Sequence, residues 1–418
     1  MPSRSQIGVR MARRVARYDL YDPEGYVAGP PHDVFTELRR SEPVYWQDMP
    51  GEPGYWAVLK HTDVDHVARH PVLFSASEGG VVLENLDAVR LEQMRGMLLA
   101  MDPPRHREIR QPLVRRFMPK VIGELESRVR EISRAIITDA ADTGEVEFVH
   151  DVASHLPSRV LGELMGLPDE DWDHIHHLAE LITHGQDPDY QPHGEGSSDV
   201  DADGTMQMAM YGIALAARRR EEEPRDDLTT LLLTEEFAGA PMSDVDFGIF
   251  FVQLVTAGND TTQTMLSSGL LALLQHPDQL AALRADPGVI PSAIEEILRW
   301  ANPLHYFRRT ATEDTELRDV GIKAGDKVAM YYTSANRDED VFADGQAFDI
   351  RRTPNRHLSF GTAEHFCLGA HLARLEGRVF LEELFATFPV IELTGEPVRV
   401  RSNLNNALKA LPVRLATA

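Results

Sequence analysis

Residues 243–276, SDVDFGIFFVQLVTAGNDTTQTMLSSGLLALLQH, limit the possible folds more than any other stretch of the chain. Ser243 or Asp244 offers an N-cap and Pro277 follows the end, so the run predicts one uninterrupted helix. At ~1.5 Å per residue it spans about 50 Å. It is apolar on most faces, which predicts a central, buried helix. Its middle nevertheless reads Ala257-Gly258-Asn259-Asp260-Thr261-Thr262. A helical Gly costs about 1 kcal/mol relative to Ala, and burying a carboxylate or hydroxyl without partners is expensive. One account is a bend whose polar side chains are satisfied by nearby backbone or water. Four consecutive polar residues after a glycine favour the other account, a functional site in mid-core.

Helical spacing recurs at 121–141, 205–223, 290–301 and 368–388. Strand-like pieces are few: Val44–Trp46 with Tyr55–Val58, Val146–Val149, Lys327–Tyr332 and Ala410–Leu415. The expected class is mainly α with minor β, in a single domain over 1–418. Residues 184–204 are polar, acidic and rich in Gly and Pro, and are expected to form a lid loop. Residues 1–17 carry five arginines without the apolar core of a signal peptide and are expected to be a mobile leader.

Composition removes several function classes. Lys+Arg 42 against Asp+Glu 66 gives a net charge of −24, a poor footprint for nucleic acid. A single cysteine excludes internal disulfides, Cys-rich zinc sites and four-Cys iron–sulfur clusters within one chain. No apolar run approaches the roughly 20 residues of a membrane span, and a cytoplasmic protein is expected. His174, His176, His177 and His184 invite a zinc reading, but no strong third ligand accompanies His174 and His177. A solvated helix leading into the lid is the expected alternative.

Most free cysteines are inert small hydrophobes. Cys367 differs because it precedes an apparent helix, whose dipole favours a thiolate. Gly361 and Gly369 bracket it and leave room for a flat ligand, and His365 supplies positive charge nearby.

The segment FGTAEHFCLG (360–369) resembles the haem-binding loop of cytochrome P450 monooxygenases, with Phe360, Gly361, His365, Cys367 and Gly369 in register. AGNDTT (257–262) resembles that family's oxygen-activating helix. EEILRW (295–300) resembles its Glu-x-x-Arg element, DPPRHREIR (102–110) its haem-facing helix start, RRTATED (308–314) a following strand, and FDIRRTPNRHLSFG (348–361) its meander. The order is also the family's, and the likeness covers nearly the whole chain. Ala363 departs from it, standing where a second Gly is common.

The resemblance implies a P450 fold and a haem b whose iron takes Cys367 as axial thiolate ligand. His106, Arg110, Arg309 and His365 would hold its propionates, with Ala257, Gly258, Phe360, Gly361 and Gly369 also against the cofactor. Asp260 and Thr261 would be the acid–alcohol pair that handles dioxygen and protons, and Gly258 would leave room for dioxygen. Glu296, Arg299 and Arg352 would be structural, locking the meander.

Without a flavin or dinucleotide domain, electrons must come from an external NAD(P)H-linked reductase through a ferredoxin. Arg105, Arg107, Arg115, Arg116, Arg374 and Arg378 form its candidate docking patch. Substrate would meet Leu254, Ala257, Leu304, Tyr306 and Leu404, with the loop near Gly79–Leu99 and the segment Asn403–Leu408. The likeness is greatest to bacterial members that oxidise methyl-branched lipids, isoprenoids or steroid side chains near a terminus. The expected activity is insertion of one oxygen atom from O2 into such a hydrophobic molecule, by a monomer. The alternatives are a peroxide-driven haem enzyme, and a non-catalytic haem or lipid-binding protein.

Overall fold

The computed structural model describes residues 17–190 and 197–416, with 197–203 given by backbone alone. Residues 1–16 of the expected leader lie outside the described residues; Arg17 pairs with Glu37 at 2.5 Å. The helices include α1 (Arg105–Val114), α2 (Glu126–Thr143), α3 (His155–Met165), α4 (Trp172–Thr183), α5 (Ser197–Glu221), α6 (Asp244–Gln275), α7 (Ile290–Ala301) and α8 (Ala370–Thr387). The strands include β1 (Val44–Met49), β2 (Glu52–Val58), β3 (Phe74–Ser75), β4 (Glu145–Glu147), β5 (Tyr306–Ala311), β6 (Lys327–Tyr331), β7 (Val390–Leu393) and β8 (Pro412–Ala416). One sheet runs β1-β2-β6-β5-β3, with β2 parallel to β6 (Tyr55 opposite Lys327) and the other pairs antiparallel. A second sheet runs β4-β8-β7. The chain is mainly helical with small sheets.

α6 is the 32-residue helix that its apolar pattern predicts. Ser243 caps it by accepting the Asp246 N–H at 3.1 Å, and Asp244 and Asp246 favour the positive end of its dipole. It packs on α3, α4, α5, α7 and α8, and Phe247, Phe250, Phe251, Leu270 and Leu273 are buried. At ~1.5–3 kcal/mol per buried side chain, this packing far outweighs one helical glycine. Several of its polar side chains turn back on the helix itself. Thr256 donates to Val252 O (2.8 Å), Asn259 to Val255 O (3.1 Å) and Thr261 to Ala257 O (2.7 Å). Asp260 is different, because its partner comes from another segment.

Three expectations are revised. The 121–141 helix is broken: a short helix Pro119–Gly123 precedes α2, and Gly123 is a weak helix former. The loop expected over 184–204 ends earlier, because α5 begins at Ser197. Ser and Asp, which read as loop residues, are also the residues that start helices. The first part of that segment is anchored rather than loose: Asp187 accepts the Arg401 N–H at 2.9 Å and pairs with Lys409 at 2.9 Å. β5 falls where the resemblance of RRTATED (308–314) implies a strand, begins two residues earlier at Tyr306, and sends Arg308 and Arg309 to opposite faces of the sheet.

Glu296 and Arg299 are fully buried on α7 and joined by two bonds of 2.7 Å. Arg299 also donates to the carbonyls of Asn336, Gly345 and Ala347 at 2.8–2.9 Å. Glu296 further accepts from Arg352 (3.2 Å), Asn355 (3.1 Å) and the Asp349 N–H (2.8 Å). α7 is thereby tied to the 336–355 segment that leads into the cysteine loop. Breaking a buried pair from one side leaves an uncompensated charge, so Arg299→Ala should lower unfolding stability by about 3–5 kcal/mol. Urea denaturation followed by circular dichroism measures this, and a midpoint equal to that of the parent protein would refute it.

Candidate active site

The loop before α8 is shaped by its own backbone. Cys367 N–H donates to Phe360 O at 2.8 Å, and Gly361 takes a left-handed φ of +66°. Ala363 also sits at φ +56°, where an L-residue is strained and glycine is not. Gly369 is the N-cap of α8. Cys367 keeps an exposed face. The protein packed around it raises the thiol pKa, against the Gly369 N–H and the charges of Arg110 and Arg374. Here the helix end does not outweigh desolvation, and the thiol stays above its ordinary value.

Four basic groups gather beside this loop. The rings of His106 (α1) and His365 lie 4.3 Å apart, and Arg110 and Arg309 act electrostatically on both. Arg110 also donates to Phe366 O at 2.5 Å. Burial first, then the Arg110 charge, lowers His106 to about 4. Burial, then Arg309, His106 and Arg110, lowers His365 strongly. Neither nitrogen of His106 has a hydrogen-bond partner, nor does Nε2 of His365. Arg110 and Arg309 form no ion pair among the described residues, although Arg309 is only 4% exposed. Arg308 points the other way and donates to the carbonyls of Val82, Leu83 and Glu84. Orphaned buried donors and unpaired cations next to an accessible thiol fit a ligand that carries carboxylates on a metal-binding body. The donor set therefore suits a haem with its propionates.

α6 turns one accessible stripe outward: Leu254, Ala257, Gly258 and Thr261, at i, i+3, i+4 and i+7. In a helix this enclosed, such a stripe marks an internal recess. Gly258 has a second reason to be small, because a Cβ there would meet Leu161 of α3 at 3.0 Å. Asp260 is buried and its Oδ1 lies 2.7 Å from Nε2 of His184, itself fully buried at the end of α4. His184 is therefore no solvated residue of a lid, whereas His174 and His177 are exposed as expected. No group of three or more His, Cys, Asp or Glu side chains among the described residues is placed to hold a metal ion. Sequence spacing carried no signal for His184–Asp260, since the partners are 76 residues apart.

Of the expected pocket residues, Leu304 and Leu404 are brought together: Leu304 bridges to Asn405, and His305 N–H donates to Leu404 O at 2.7 Å. Both are partly exposed. Phe307 packs with Met94 and Leu99, joining the 79–99 loop to β5. Tyr306 lies deeper, in the apolar cluster on which Leu404 packs. Alternation along β5 sends it into the sheet core against Tyr331, 5.5 Å between rings, at zero exposure.

The arginine patch is also partly spent. Arg107 pairs with Glu364, Arg116 with Asp226, Arg374 with Glu295 and Arg378 with Glu126. Arg105 and Arg115 remain exposed and unpaired among the described residues. No described helix is long and apolar enough to cross a membrane.

Comparison with known proteins agrees with this geometry. The cytochrome P450 family model matches residues 202–414. A steroid C26-monooxygenase of Mycolicibacterium smegmatis is 36% identical over 403 residues, 94% of this chain and 92% of its own. A methyl-branched lipid omega-hydroxylase of Mycobacterium tuberculosis is 38% identical over 391 residues, 91% of this chain and 90% of its own. The structure of a Mycobacterium marinum cytochrome P450 in complex with pseudoionone superposes with a TM-score of 0.90 at 37% identity, covering 97% of this chain and all of that one. With this likeness along almost its whole length, the chain belongs to the cytochrome P450 family, monooxygenases that work with haem iron and dioxygen.

Proposed function

We propose that this chain inserts one oxygen atom from O2 at or near the terminus of a methyl-branched lipid, isoprenoid or steroid side chain, using haem b. Electrons reach it from NAD(P)H through a reductase and a ferredoxin. The observation that carries the substrate reading is the identity of 36–38% to relatives named for steroid C26 and methyl-branched lipid omega oxidation. The accessible apolar stripe of α6 supports it.

When bound, the haem supplies the chemistry that activates dioxygen. The residues of this chain bind, orient and move protons. Cys367 would hold the haem iron through its sulfur, where the Gly369 N–H would temper the charge. His106, Arg110, Arg309 and His365 would hold the two propionates, which would give both His106 nitrogens and His365 Nε2 the partners they otherwise lack. Phe360, Gly361 and Gly369 shape the loop that would lie against the cofactor. Leu254, Ala257, Leu304 and Leu404 exclude water and orient a hydrocarbon end; Tyr306 is left out of this set. The Thr261 hydroxyl turns from Ala257 O toward the reaction centre and transfers protons there, and Asp260 reloads it. Glu296, Arg299 and Arg352 hold the scaffold and take no part in the chemistry.

Arg105 and Arg115, with Arg107 and Arg116 beside them, offer a cationic face in a chain of net charge −24. Surface pairs such as Arg107–Glu364 are worth little, so an acidic ferredoxin displaces them readily. We assign this face to the electron donor.

Porphyrin-supplied protein should give a thiolate-type spectrum when reduced under carbon monoxide, and a methyl-branched fatty acid or a steroid with an intact side chain should give a type-I spectral shift. No shift with either, or products oxidised only in mid-chain or in a ring, would remove the substrate reading. Thr261→Ala should keep consuming NADPH but release mostly hydrogen peroxide, with product per NADPH falling by about ten-fold or more; parental coupling would count against the role. Arg105→Glu with Arg115→Glu should slow reduction by ferredoxin roughly ten-fold at low salt and far less at high salt. Stopped-flow rates independent of salt would disprove the docking face.

A further inference from the structure

The C-terminal half of α6, the end of α7, the start of the helix His32–Ser41 and the C-terminal segment enclose a cavity lined by His32, Ser268, Trp300, Arg337, Arg399 and Asn406. Ser268 lies seven residues beyond Thr261, ~10 Å along α6, so this space is separate from the recess at Leu254–Thr261. About 50 Å³ of it is open to the centre of a water-sized atom. Roughly 10–15 Å³ of such space holds one water, so the cavity takes about four such atoms, the size of a small oxyanion. Three buried polar atoms of its lining residues have no hydrogen-bond partner: Nδ1 of His32, Oγ of Ser268 and Nε of Arg337. Ser268 is 7% exposed and Arg337 5%.

The lining is cationic and its anions are spent. Arg337 donates to Gln346 Oε1 at 3.1 Å and stacks on Trp300, 3.7 Å from the ring centre; Arg399 donates to Asn406 Oδ1 at 3.2 Å. Both acceptors are neutral amides, and neither arginine pairs with a carboxylate among the described residues. Glu296 acts on Arg337 from nearby, but its oxygens are filled by Arg299, Arg352, Asn355 and the Asp349 N–H. Burial first, then the Arg299 charge, lowers Arg337 to about 9, with Glu296 opposing. Burial lowers Arg399 with no carboxylate opposing it. Burial, then Arg337, His305, Arg39 and Arg399, keeps His32 well below the usual imidazole range. The C-terminal end of α6 contributes only about half a negative charge against two guanidiniums.

We propose that this cavity binds a small oxyanion of the carboxylate, sulfate or phosphate kind, held by Arg337 and Arg399 with Ser268 and His32. The guanidinium fork matches two oxygens of such an anion. Stacking on Trp300 fixes the plane of Arg337, so binding costs it little side-chain freedom. Ser268 gives its hydroxyl proton and the neutral His32 its Nδ1–H, which supplies both orphaned atoms with an acceptor. The anion joins the helix His32–Ser41, α6, α7 and the C-terminal segment, so its effect is on stability. Haem and substrate take no part, and the site stands independently of the monooxygenase reading.

The test is thermal unfolding of the haem-loaded protein, followed by far-ultraviolet circular dichroism, in phosphate against chloride at equal ionic strength. A ligand bound by the folded state alone raises the midpoint with the logarithm of its concentration once past the Kd; at about fifty times the Kd the rise should be about 2–3 °C. Exclusion of phosphate from the general surface gives instead a rise proportional to concentration. Arg399→Gln should abolish the logarithmic rise, and Ser268→Ala should weaken the Kd several-fold. Sulfate and acetate are run in the same way, and any of the three anions that gives the logarithmic rise and depends on Arg399 supports the site. Holoenzyme crystals soaked in selenate should show anomalous density in the cavity. The proposal fails if all three anions act as chloride does, if the rise is linear, or if Arg399→Gln keeps it. If Arg399→Gln does not fold, Ser268→Ala and the selenate crystals decide: an unchanged Kd or a cavity without selenium overturns the proposal.

Discussion

Glu296 is a carboxylate with no exposure whose oxygens are saturated by Arg299, Arg352, Asn355 and a backbone N–H. A buried charge is tolerable only on those terms, because desolvation consumes most of the Coulomb attraction unless the remaining hydrogen-bonding capacity is filled. The geometry that fills it draws α7, the 336–355 segment and the approach to the cysteine loop into one rigid unit. The position of Cys367 is thus set some seventy residues away from it, by an arrangement that touches no sulfur atom.

The basic groups beside Cys367 are the counterpart of that knot. His106, Arg110, Arg309 and His365 are brought together by α1, β5 and the loop, yet no carboxylate of the chain pairs with either arginine among the described residues. A fold that saturates Glu296 so fully while leaving these four without an anion keeps their electrostatic capacity for a bound group. α6 follows the same economy. Thr256, Asn259, Thr261 and Ser267 turn onto its own carbonyls, Leu254, Ala257 and Thr261 stay accessible, and Asp260 pairs with His184.

Much of this was legible beforehand where a local rule operates. α6, α7 and α8 follow from apolar periodicity and their stop signals, and β1 with β2 from β-branched and aromatic runs. β5 was visible only through the resemblance of RRTATED, because Arg308 and Arg309 interrupt its alternation; only the surrounding sheet shows that one guanidinium caps the carbonyls of 82–84 while the other enters the basic cluster. The zero exposure of Tyr306 was not legible either, since a strand's facing is undetermined until its neighbours are known. The Ser/Asp-rich run before residue 205 has one composition for a loop and for a helix start, and α5 took the second.

The residue order alone determined which chemical groups are available: one thiol before a helix, an acid–alcohol pair in mid-helix, a Glu and Arg one turn apart. Those relations span a few residues, where backbone geometry is nearly invariant. Tertiary structure decided which distant groups meet them. His184 reaches Asp260, Arg110 acts on His365, and Arg374 is drawn away to Glu295, because side-chain charge and hydrogen bonding act over a few ångströms of space while the chain separates these partners by scores of residues.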